Sequence, residues 1–527
     1  MPEPIDISPK DLVIVRAILS HYVPEYEVRA FGSRVAWTAK EHSDLDLAVM
    51  TDKPLKATLF VDLKEVFTDS DLSIKVDVVD WAKTGVNFRK IIEGKFMVVQ
   101  KAGQQSAILD DWITKNIGQV TNWKSGGTPR LNNPQYWNGN IPWISASSMK
   151  TPWLSESERR ITPAGLEAGS NLAPKDSVLL LVRGSELHKR IPIGVAMKEV
   201  AFNQDVKSLL TKDGLRSRFL YYWLKAHEAF LLSKVEHTGI GAGKLDTDIM
   251  QALPISFPKT PEQQERVLSV FVALDGKIEL NRKMNETLEA MARALFKSWF
   301  VDFDPVRAKA EGRDTGLPKD IATLFPDSFV DSELGEIPKG WSVGTLGDVS
   351  DHPRRTIQSD EIQSTTPYIA LEHMPRRSIA IQDWDYGEGL ESNKFKFEKG
   401  EILFGKLRPY FHKVGVAPVD GVCSTDIVVI CPKSEDWFGF VLGHVSSDVF
   451  VEYTNAASTG TKMPRTNWGD MAHYELVLPS SSIAKAFTKT VRVLTQKIEV
   501  SVHESRALAS VRDSLLPKLI SGELRVM

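Results

Sequence analysis

The feature that most constrains this chain is an internal repeat. The segment IPWISASSM from Ile141 corresponds to TPYIALEHM from Thr366, and HTGIGAGKLDTDIMQALPISFP from His237 corresponds to STGTKMPRTNWGDMAHYELVLP from Ser458. Their order is kept, and their offset stays between roughly 220 and 230 residues. The chain is therefore predicted to contain two copies of one module, placed after an unrelated segment of about 100 residues.

Composition fits a multidomain chain. A length of 527 residues is too large for one core, and 42% hydrophobic with 25% charged residues is ordinary for a globular protein. We see no apolar run long enough for a membrane span and no signal-peptide pattern in MPEPIDISPKD. Cys423 and Cys431 are the only cysteines, which excludes a disulfide framework. We expect a cytoplasmic protein without membrane partners.

Each copy ends in a segment that predicts a long helix. The first follows a capping threonine with proline at the first helical position and spans 262–300. Apolar residues recur at alternating steps of three and four, the seam pattern of a coiled coil. The two stripes are Val267, Phe271, Leu274, Ile278, Leu288, Met291, Leu295 and Trp299, and Phe487, Val491, Leu494, Ile498, Leu508, Val511, Leu515 and Leu519. The pattern allows two arrangements: the two helices pack on each other, or each helix packs on its own module.

Both stripes have a polar gap at the matching place. Asn281 and Asn285 interrupt the first stripe, and Ser501 and Ser505 interrupt the second. Polar residues in an apolar seam commonly set the register of two helices. The matching gaps favour helices that pack on each other.

Basic and aromatic residues recur in loop-like settings of both copies. Lys and Arg among Gly, Ser and aromatic residues suit contacts with phosphates and base edges, although a solvated surface is the alternative. The candidate DNA-binding residues are Arg183, His188, Lys189, Arg190 and Lys244 in the first copy, and Lys406, Arg408, Tyr410, His412, Lys413, Lys462 and Arg465 in the second. Their recurrence in both copies favours binding.

Four segments resemble the specificity subunit of type I restriction-modification systems. They are LVRGSELHKRIPIGVAMKEVAFNQDVKSL, TPEQQERVLSVFVALDGKIELNRKMNETLEAMARALFKSWF, GEIPKGWSVGTLGD and LLPKLISGEL. The resemblance covers about 109–527 and implies two target-recognition domains, each reading half of a split site in double-stranded DNA. It also implies two long helices that pack as an antiparallel coiled coil and dock the methyltransferase subunits.

The resemblance also implies where the chemistry resides. The sequence has no tetrapeptide like DPPY or NPPF of an amino-methyltransferase and no Walker A motif. Two methyltransferase subunits and restriction subunits are the expected partners, and S-adenosylmethionine and ATP would be used by them. No cofactor is expected for the specificity body itself.

The segment before the repeat has a different pattern. Residues 31–50 read FGSRVAWTAKEHSDLDLAVM, in which Asp44 and Asp46 lie one residue apart on a predicted strand and therefore share a face. Asp77 in the later strand SIKVDVVDW provides a third carboxylate. Two neighbouring carboxylates repel each other unless a cation lies between them, and three can hold Mg²⁺. Solvated carboxylates at a strand end are the alternative.

This spacing resembles the minimal nucleotidyltransferases, whose signature is Gly-Ser, ten residues, then Asp-x-Asp. The resemblance covers about 8–100 and implies that Asp44, Asp46 and Asp77 are catalytic metal ligands, while Gly32 and Ser33 bind the nucleotide. Mg²⁺ and a nucleoside triphosphate are the implied cofactor and substrate. One departure is Trp37, where many members have glycine. Two interpretations stay open: the domain is an active nucleotidyltransferase, or it keeps the fold and serves only as an interaction module.

The predicted architecture is a multidomain α+β chain. It consists of an α/β nucleotidyltransferase-like domain (1–100), a linker (101–108), two α/β target-recognition domains (109–258 and 332–480), a central spacer helix region (259–331) and a C-terminal spacer helix (481–527). The predicted function is a DNA specificity subunit without catalysis in its main body. The alternative is an antitoxin-like nucleotidyltransferase that adenylylates a partner, with the rest as its targeting platform. The target bases do not follow from the sequence.

Overall fold

The computed structural model of the chain describes residues 5–40, 43–68, 70, 72–102, 112–238, 241–460, 463–524 and 526. The chain divides into two compact units, Met1–Leu268 with Leu516–Met527, and Ser269–Leu515. Residues 103–108 of the predicted linker lie outside the described residues. Among the helices described, none combines the length and hydrophobicity needed to cross a bilayer.

The N-terminal part of the first unit is a four-stranded sheet with the order β3-β2-β1-β4. Strands β1 and β2 are antiparallel, β2 and β3 are parallel, and buried Val28, Leu47 and Leu63 lie in the core beneath them. The strands are β1 Glu27–Phe31, β2 Leu45–Met50, β3 Val76–Asp80 and β4 Phe96–Gln100, and the helices are α1 Pro9–Tyr22, α2 Ser33–Ala36, α3 Ala57–Thr68 and α4 Val86–Gly94. The predicted alternation of helix, strand, turn, helix and strand agrees with this order.

The first copy of the repeat contains a four-stranded, a five-stranded, a three-stranded and a two-stranded sheet. Its strands are β5 Trp112–Asn116, β6 Thr121–Ser125, β7 Trp137–Ile144, β8 Trp153–Leu154, β9 Arg160–Ile161, β10 Asn171–Ala173, β11 Val178–Leu181, β12 Arg183–Gly184, β13 Ile193–Ala196, β14 Val200–Phe202, β15 Val206–Thr211, β16 Val235–Thr238, β17 Ala242–Leu245 and β18 Pro254–Pro258. Its helices are α5 Ile117–Val120, α6 Pro163–Gly169, α7 Ser217–Ala226, α8 Glu228–Ser233 and α9 Thr247–Ala252.

The second copy repeats a four-stranded and a five-stranded sheet. A long helix, α10 Pro261–Phe300, and two short ones, α11 Asp304–Ala310 and α12 Lys319–Ala322, precede it. Its strands are β19 Phe329–Ser332, β20 Gly335–Pro338, β21 Ser342–Thr345, β22 Ser350–Asp351, β23 Thr356–Ile357, β24 Pro367–Ile369, β25 Asp385–Tyr386, β26 Lys394–Phe397, β27 Ile402–Gly405, β28 Val414–Val416, β29 Gly421–Cys423, β30 Ile427–Pro432 and β31 Glu475–Leu478. Its helices are α13 Leu346–Val349, α14 Phe438–Val445, α15 Asp448–Ala456, α16 Trp468–Ala472 and α17 Ser481–Ile520.

The two copies are closed in the same way. In the first, the entering strand β5 pairs antiparallel with the leaving strand β18; in the second, β21 pairs with β31. A short helix follows each entering strand, and a capping box fixes its start, at Asn116 in one copy and Thr345 in the other. The start and the end of each copy are thus joined, which agrees with the predicted duplication.

The long helices α10 and α17 run in opposite directions where they meet in the second unit. Asp275 pairs with Arg512 at 2.7 Å, Asn281 donates to Glu504 at 2.8 Å, and the Phe300 ring lies 4.8 Å from that of Phe487. Asn281 also donates to Ser505, which lies in the polar gap of the other helix, at 3.2 Å. The prediction that the helices pack on each other therefore agrees with the structure.

The predicted apolar stripes are wrong at two positions. Met291 and Val511 are 49% and 47% exposed, whereas Phe296, which was not in the stripe, is buried. In this part of α10 the buried face is covered by α14 as well as by α17, because Phe296 lies against His444 and Phe487. Packing against the module rotates the buried face away from Met291.

We predict that Gly443→Ala will destabilise the second unit. A Cβ at Gly443 in α14 would overlap the ring of buried Phe296, so the substitution should lower the free energy of unfolding by about 1–3 kcal/mol. Gly276→Ala in α10 is the matched control, since a Cβ there has open space and alanine favours helix by up to about 1 kcal/mol. Urea unfolding of the full chain, followed by tryptophan fluorescence, measures both variants.

Phe296→Leu in the Gly443→Ala background should restore part of the lost stability, because the smaller side chain makes room for the new methyl group. Equal stability of Gly443→Ala and Gly276→Ala would contradict the packing of α14 on α10.

Candidate nucleotide site and nucleic-acid interfaces

Three carboxylates lie on one face of the N-terminal sheet. Asp46 in β2 is directly opposite Asp77 in the parallel strand β3, and Asp44 precedes β2 by one residue. Side chains at paired positions of parallel strands point to the same face. Burial, and then the charges of Asp77 and Asp44, raise the pKa of Asp46 above its usual value. The predicted carboxylates are thus brought together, and their charges repel.

Gly32 lies against this cluster. It follows β1 with φ +80°, a backbone conformation that favours glycine, and a Cβ there would overlap the Asp46 carboxylate. Ser33, the other predicted nucleotide-binding residue, begins α2 directly after it. A side chain at position 32 would fill the space beside the carboxylates.

Arg34 positions the segment that leads to Asp44, and the sequence analysis missed it. Its buried guanidinium donates to the carbonyl of Ser43 at 2.7 and 3.0 Å and to the carbonyl of Asp6 at 2.6 Å. An arginine directly after the Gly-Ser turn was the available signal. Trp37, the departure from the nucleotidyltransferase pattern, has φ +58° and is half exposed.

The carboxylates fit a divalent cation in chemistry, because oxygen ligands and negative charge are what Mg²⁺ prefers. One of them, Asp77, pairs with Lys64 at 3.1 Å. A second candidate group in the described part of the chain is Glu372, His373 and Asp385, whose possible ligand atoms all lie within 4.8 Å of one another.

That second group is a hydrogen-bonded cluster in the second copy. His373 Nδ1 accepts from the Ala370 amide at 2.9 Å, so in the neutral ring the proton is on Nε2, which faces Asp385 at 3.3 Å. A metal ligand at Nε2 needs the opposite tautomer. We therefore assign no metal to this cluster.

The first basic cluster consists of Arg183, His188, Lys189, Arg190 and Lys244. Arg183 in β12 is paired with Lys244 in β17, and His188 Nε2 lies 3.0 Å from the Gly241 carbonyl. These contacts bring two distant loops of the first copy together. Lys189 and Arg190 follow on the same exposed turn, where Arg190 pairs with Glu186 at 3.2 Å.

The ion pairs between Lys244 and its acidic neighbours are weak. Lys244 lies 3.7 Å from Glu236 and 3.5 Å from Asp246, and all three side chains are partly exposed. Exposed ion pairs of this kind contribute little to stability and exchange readily with other anions. Phosphates can therefore compete for this cation.

The second basic cluster is built around the turn 406–411. The Arg408 amide donates to the Pro464 carbonyl at 2.7 Å, and Leu407 and Arg465 form a β-bridge. The Thr466 amide donates to the Lys406 carbonyl at 3.1 Å. These contacts place Lys406, Arg408 and Arg465 together, and Tyr410 lies on the same turn with about half of its surface exposed.

Two predicted residues point inward, and one is outside the described residues. His412 is buried, with Nε2 2.9 Å from the Ser446 carbonyl and Nδ1 3.3 Å from Asp448. Lys413 donates to the Leu371 carbonyl, and burial lowers its pKa. Unlike Tyr410, these two side chains bond to neighbouring backbone carbonyls, and their predicted contacts with DNA stay a prediction. Lys462 lies outside the described residues.

Arg376 and Arg377 join the second basic cluster, and the sequence analysis missed them. The Arg376 guanidinium lies 4.1 Å from the centre of the Phe411 ring, and the Arg377 amide donates to the His412 carbonyl at 2.9 Å. Their signal in the sequence is the pair of arginines in MPRRS, which has no counterpart in the first copy. The cluster therefore has five cations: Arg376, Arg377, Lys406, Arg408 and Arg465.

Two families match the chain. Residues 109–290 match "Type I restriction modification DNA specificity domain", and residues 16–102 match "Polymerase beta, Nucleotidyltransferase". The chain therefore contains a type I restriction-modification DNA specificity domain, and type I specificity subunits are among its relatives. A nucleotidyltransferase domain lies ahead of that specificity domain.

Individual relatives support both parts. The chain is 27% identical over 434 residues to the type I restriction enzyme MjaIX specificity subunit of Methanocaldococcus jannaschii, covering 79% of this chain and 94% of that protein. It is 47% identical over 97 residues to the "Probable protein adenylyltransferase MntA" of Haemophilus influenzae, covering 18% of this chain and 85% of that one. A solved type I S subunit from M. genitalium aligns with a TM-score of 0.44 at 15% identity, covering 77% of this chain and 96% of that chain.

We predict that Asp46→Asn will stabilise the N-terminal sheet at neutral pH. A raised pKa means that the folded state disfavours the ionised carboxylate, so the wild type loses stability as pH rises through the pKa of Asp46. Asparagine has no such charge. Amide exchange in β1 and β2 should slow about two- to five-fold at pH 7, and the difference should vanish as the pH falls below the usual aspartate pKa.

Asp52→Asn is the matched control, because Asp52 is exposed and lies beyond the end of β2. Added Mg²⁺ should slow exchange in the wild type and have less effect on Asp46→Asn. Faster exchange in Asp46→Asn than in the wild type at pH 7 would contradict the repulsion between the three carboxylates.

Proposed function

We propose that this chain is the DNA specificity subunit of a type I restriction-modification complex and that its two modules each read one half of a bipartite target. The observation that carries this proposal is the duplicated module with a basic cluster in each copy. Backbone contacts position the turns that carry these cations, and their ion pairs, such as Arg465 with Asp426 and Arg377 with Asp448, are at least partly exposed to solvent. Phosphates and base edges can compete for cations in such pairs. The loops that carry these cations would also contact the base edges and so select the DNA sequence.

The long helices are the proposed spacer between the two half-sites. A helix of 40 residues is about 60 Å long, and the major groove of B-DNA recurs about every 34 Å. We infer that α10 and α17 form an antiparallel coiled coil whose register, fixed by Asn281 and its partners, sets the length of the spacer in the DNA target.

Methylation and cleavage belong to partner subunits in this proposal. The sequence contains no tetrapeptide like DPPY or NPPF of an amino-methyltransferase and no Walker A motif, which supports this assignment. Two methyltransferase subunits and restriction subunits would supply S-adenosylmethionine and ATP chemistry, and this chain would select the DNA sequence.

Residues 1–100 carry a second proposed activity, metal-dependent nucleotidyl transfer. The observation that favours it is the alignment of Asp46 with Asp77 beside Gly32, together with the 47% identity to a relative named as a protein adenylyltransferase. Asp44, Asp46 and Asp77 would hold Mg²⁺, and Gly32 and Ser33 would border the triphosphate. When bound, the metal would neutralise phosphate charge and lower the barrier to attack. The carboxylates orient it, and Arg34 fixes the segment before Asp44.

We predict that exchanging residues 109–258 for the recognition domain of another specificity subunit will change one half of the methylated sequence and leave the other half and the spacer unchanged. Single-molecule sequencing of methylated bases in cells that carry the hybrid and its methyltransferase subunits measures the outcome. Exchange of 332–480 is the matched control and should change the other half. A change of both halves, or of neither, with either hybrid would contradict modular reading.

We predict that the full chain, purified with its methyltransferase subunits, will transfer label from α-³²P-ATP to protein in the presence of Mg²⁺. Asp44→Ala and Asp46→Ala should reduce transfer at least about 100-fold, since each removes a metal ligand. Asp52→Ala should transfer like the wild type. Unlabelled protein in every sample would contradict the activity while leaving DNA specificity untouched.

A further inference from the structure

The proposed transferase needs an acceptor, and the surface of this chain offers few tyrosines. All ten tyrosines lie among the described residues, and eight of them are buried or half-buried. The exceptions are Tyr386, 53% exposed, and Tyr410, 51% exposed. A phenol ionises more readily than the alkyl hydroxyls of serine and threonine, which makes an exposed tyrosine the better nucleophile toward phosphorus.

The backbone around Tyr410 presents it on a tight turn. Pro409–Phe411 forms a single helical turn, and the residues at both ends, Arg408 and His412, have left-handed backbone angles of φ +51° and +50°. The Tyr410 ring lies 4.8 Å from that of Phe411, which is itself covered by the Arg376 guanidinium. The Phe411 side of the turn is thus packed against other side chains, whereas the Tyr410 side chain is exposed to solvent.

The surroundings of Tyr410 favour an anionic reactant. Its turn belongs to the second basic cluster, with Lys406, Arg408 and Arg465 joined by backbone hydrogen bonds and a β-bridge. Arg465 also pairs with Asp426 at 3.1 Å, but the cations of the cluster outnumber this carboxylate. Their net positive charge attracts the phosphates of a nucleoside triphosphate and favours a phosphodiester on the tyrosine.

Tyr386 is exposed to the same degree in the opposite electrostatic setting. It lies in the stretch DWDYGEGLE, and Asp385 precedes it in β25. Negative charge repels a nucleoside triphosphate. The two exposed tyrosines therefore differ in charge environment and not in access.

We propose that the nucleotidyltransferase domain adenylylates Tyr410 and thereby closes the DNA interface of the second module. This inference rests on the proposed activity of residues 1–100. Tyr410 Oη attacks the α-phosphorus of ATP and forms an O–P bond, while the bond between the α- and β-phosphates breaks. Pyrophosphate leaves with the bonding pair, the phenolic proton passes to water, and Tyr410 carries AMP.

The modification changes the charge of the surface that meets DNA. AMP adds a negative phosphodiester and a bulky nucleoside next to Lys406, Arg408 and Arg465. These cations would then pair with the attached phosphate, and the added group would repel and obstruct the DNA backbone. The fused transferase would in this way make DNA recognition depend on its own nucleotide reaction.

Site mapping tests the acceptor. The full chain with its methyltransferase subunits is incubated with Mg²⁺ and α-³²P-ATP, and labelled peptides are identified by mass spectrometry. We expect label on Tyr410 in the wild type and in Tyr386→Phe, and at least a ten-fold loss of label in Tyr410→Phe. Undiminished label in Tyr410→Phe, or label on a different residue or subunit, overturns this inference but leaves the transferase activity established. Absence of label from every variant overturns both.

DNA binding gives a second readout. After incubation with Mg²⁺ and ATP, the wild-type complex and Tyr386→Phe should bind their target duplex at least about five-fold more weakly than before incubation. Tyr410→Phe, whatever its starting affinity, should show no change on incubation, and neither should Asp46→Ala. A fall in affinity of Tyr410→Phe equal to that of the wild type would overturn the proposed closure of the interface.

Discussion

The opposite-direction pairing of α10 and α17 is the constraint on which the second unit depends. An apolar seam alone tolerates sliding by a helical turn, whereas buried polar groups are satisfied in one register only. Asp275 and Asn281 are such buried groups, and their partners on the other helix are Arg512 and Glu504. This register places Phe300 against Phe487 and Phe296 in the core beside Gly443. The second module therefore packs on two helices whose alignment is fixed by polar contacts.

The sequence predicted the elements that depend on local pattern and duplication. The start of α10, the paired modules and the polar gap at Asn281 follow from capping, spacing and repetition. Met291 was placed wrongly because a stripe of threes and fours assumes one partner for the whole helix. Here α14 covers part of α10, and a tertiary contact of that kind leaves no trace in the periodicity of the helix itself.

The candidate sites, like the fold, could be predicted from the sequence only in part. Asp44, Asp46 and Asp77 were predictable because strand alternation and the parallel register place them on one face. The second basic cluster was only partly predictable. His188 and His412 occupy matching places in the repeat, yet His188 is exposed and His412 is buried, because the junction between α14 and α15 provides Ser446 and Asp448 as partners in the second copy. A repeated motif specifies the turn; the surrounding module decides which side chains face outward.

The N-terminal carboxylates bear on whether that domain is only an interaction module. Three like charges on one face, with the pKa of Asp46 raised by burial and by its neighbours, oppose folding at neutral pH. Gly32 keeps open the space beside them through a backbone conformation that favours glycine. An interaction module needs neither the charge nor the space. Repelling carboxylates beside an open space are the arrangement expected where a cation and an anionic substrate complete the site, which is why we propose these residues as a metal and nucleotide site.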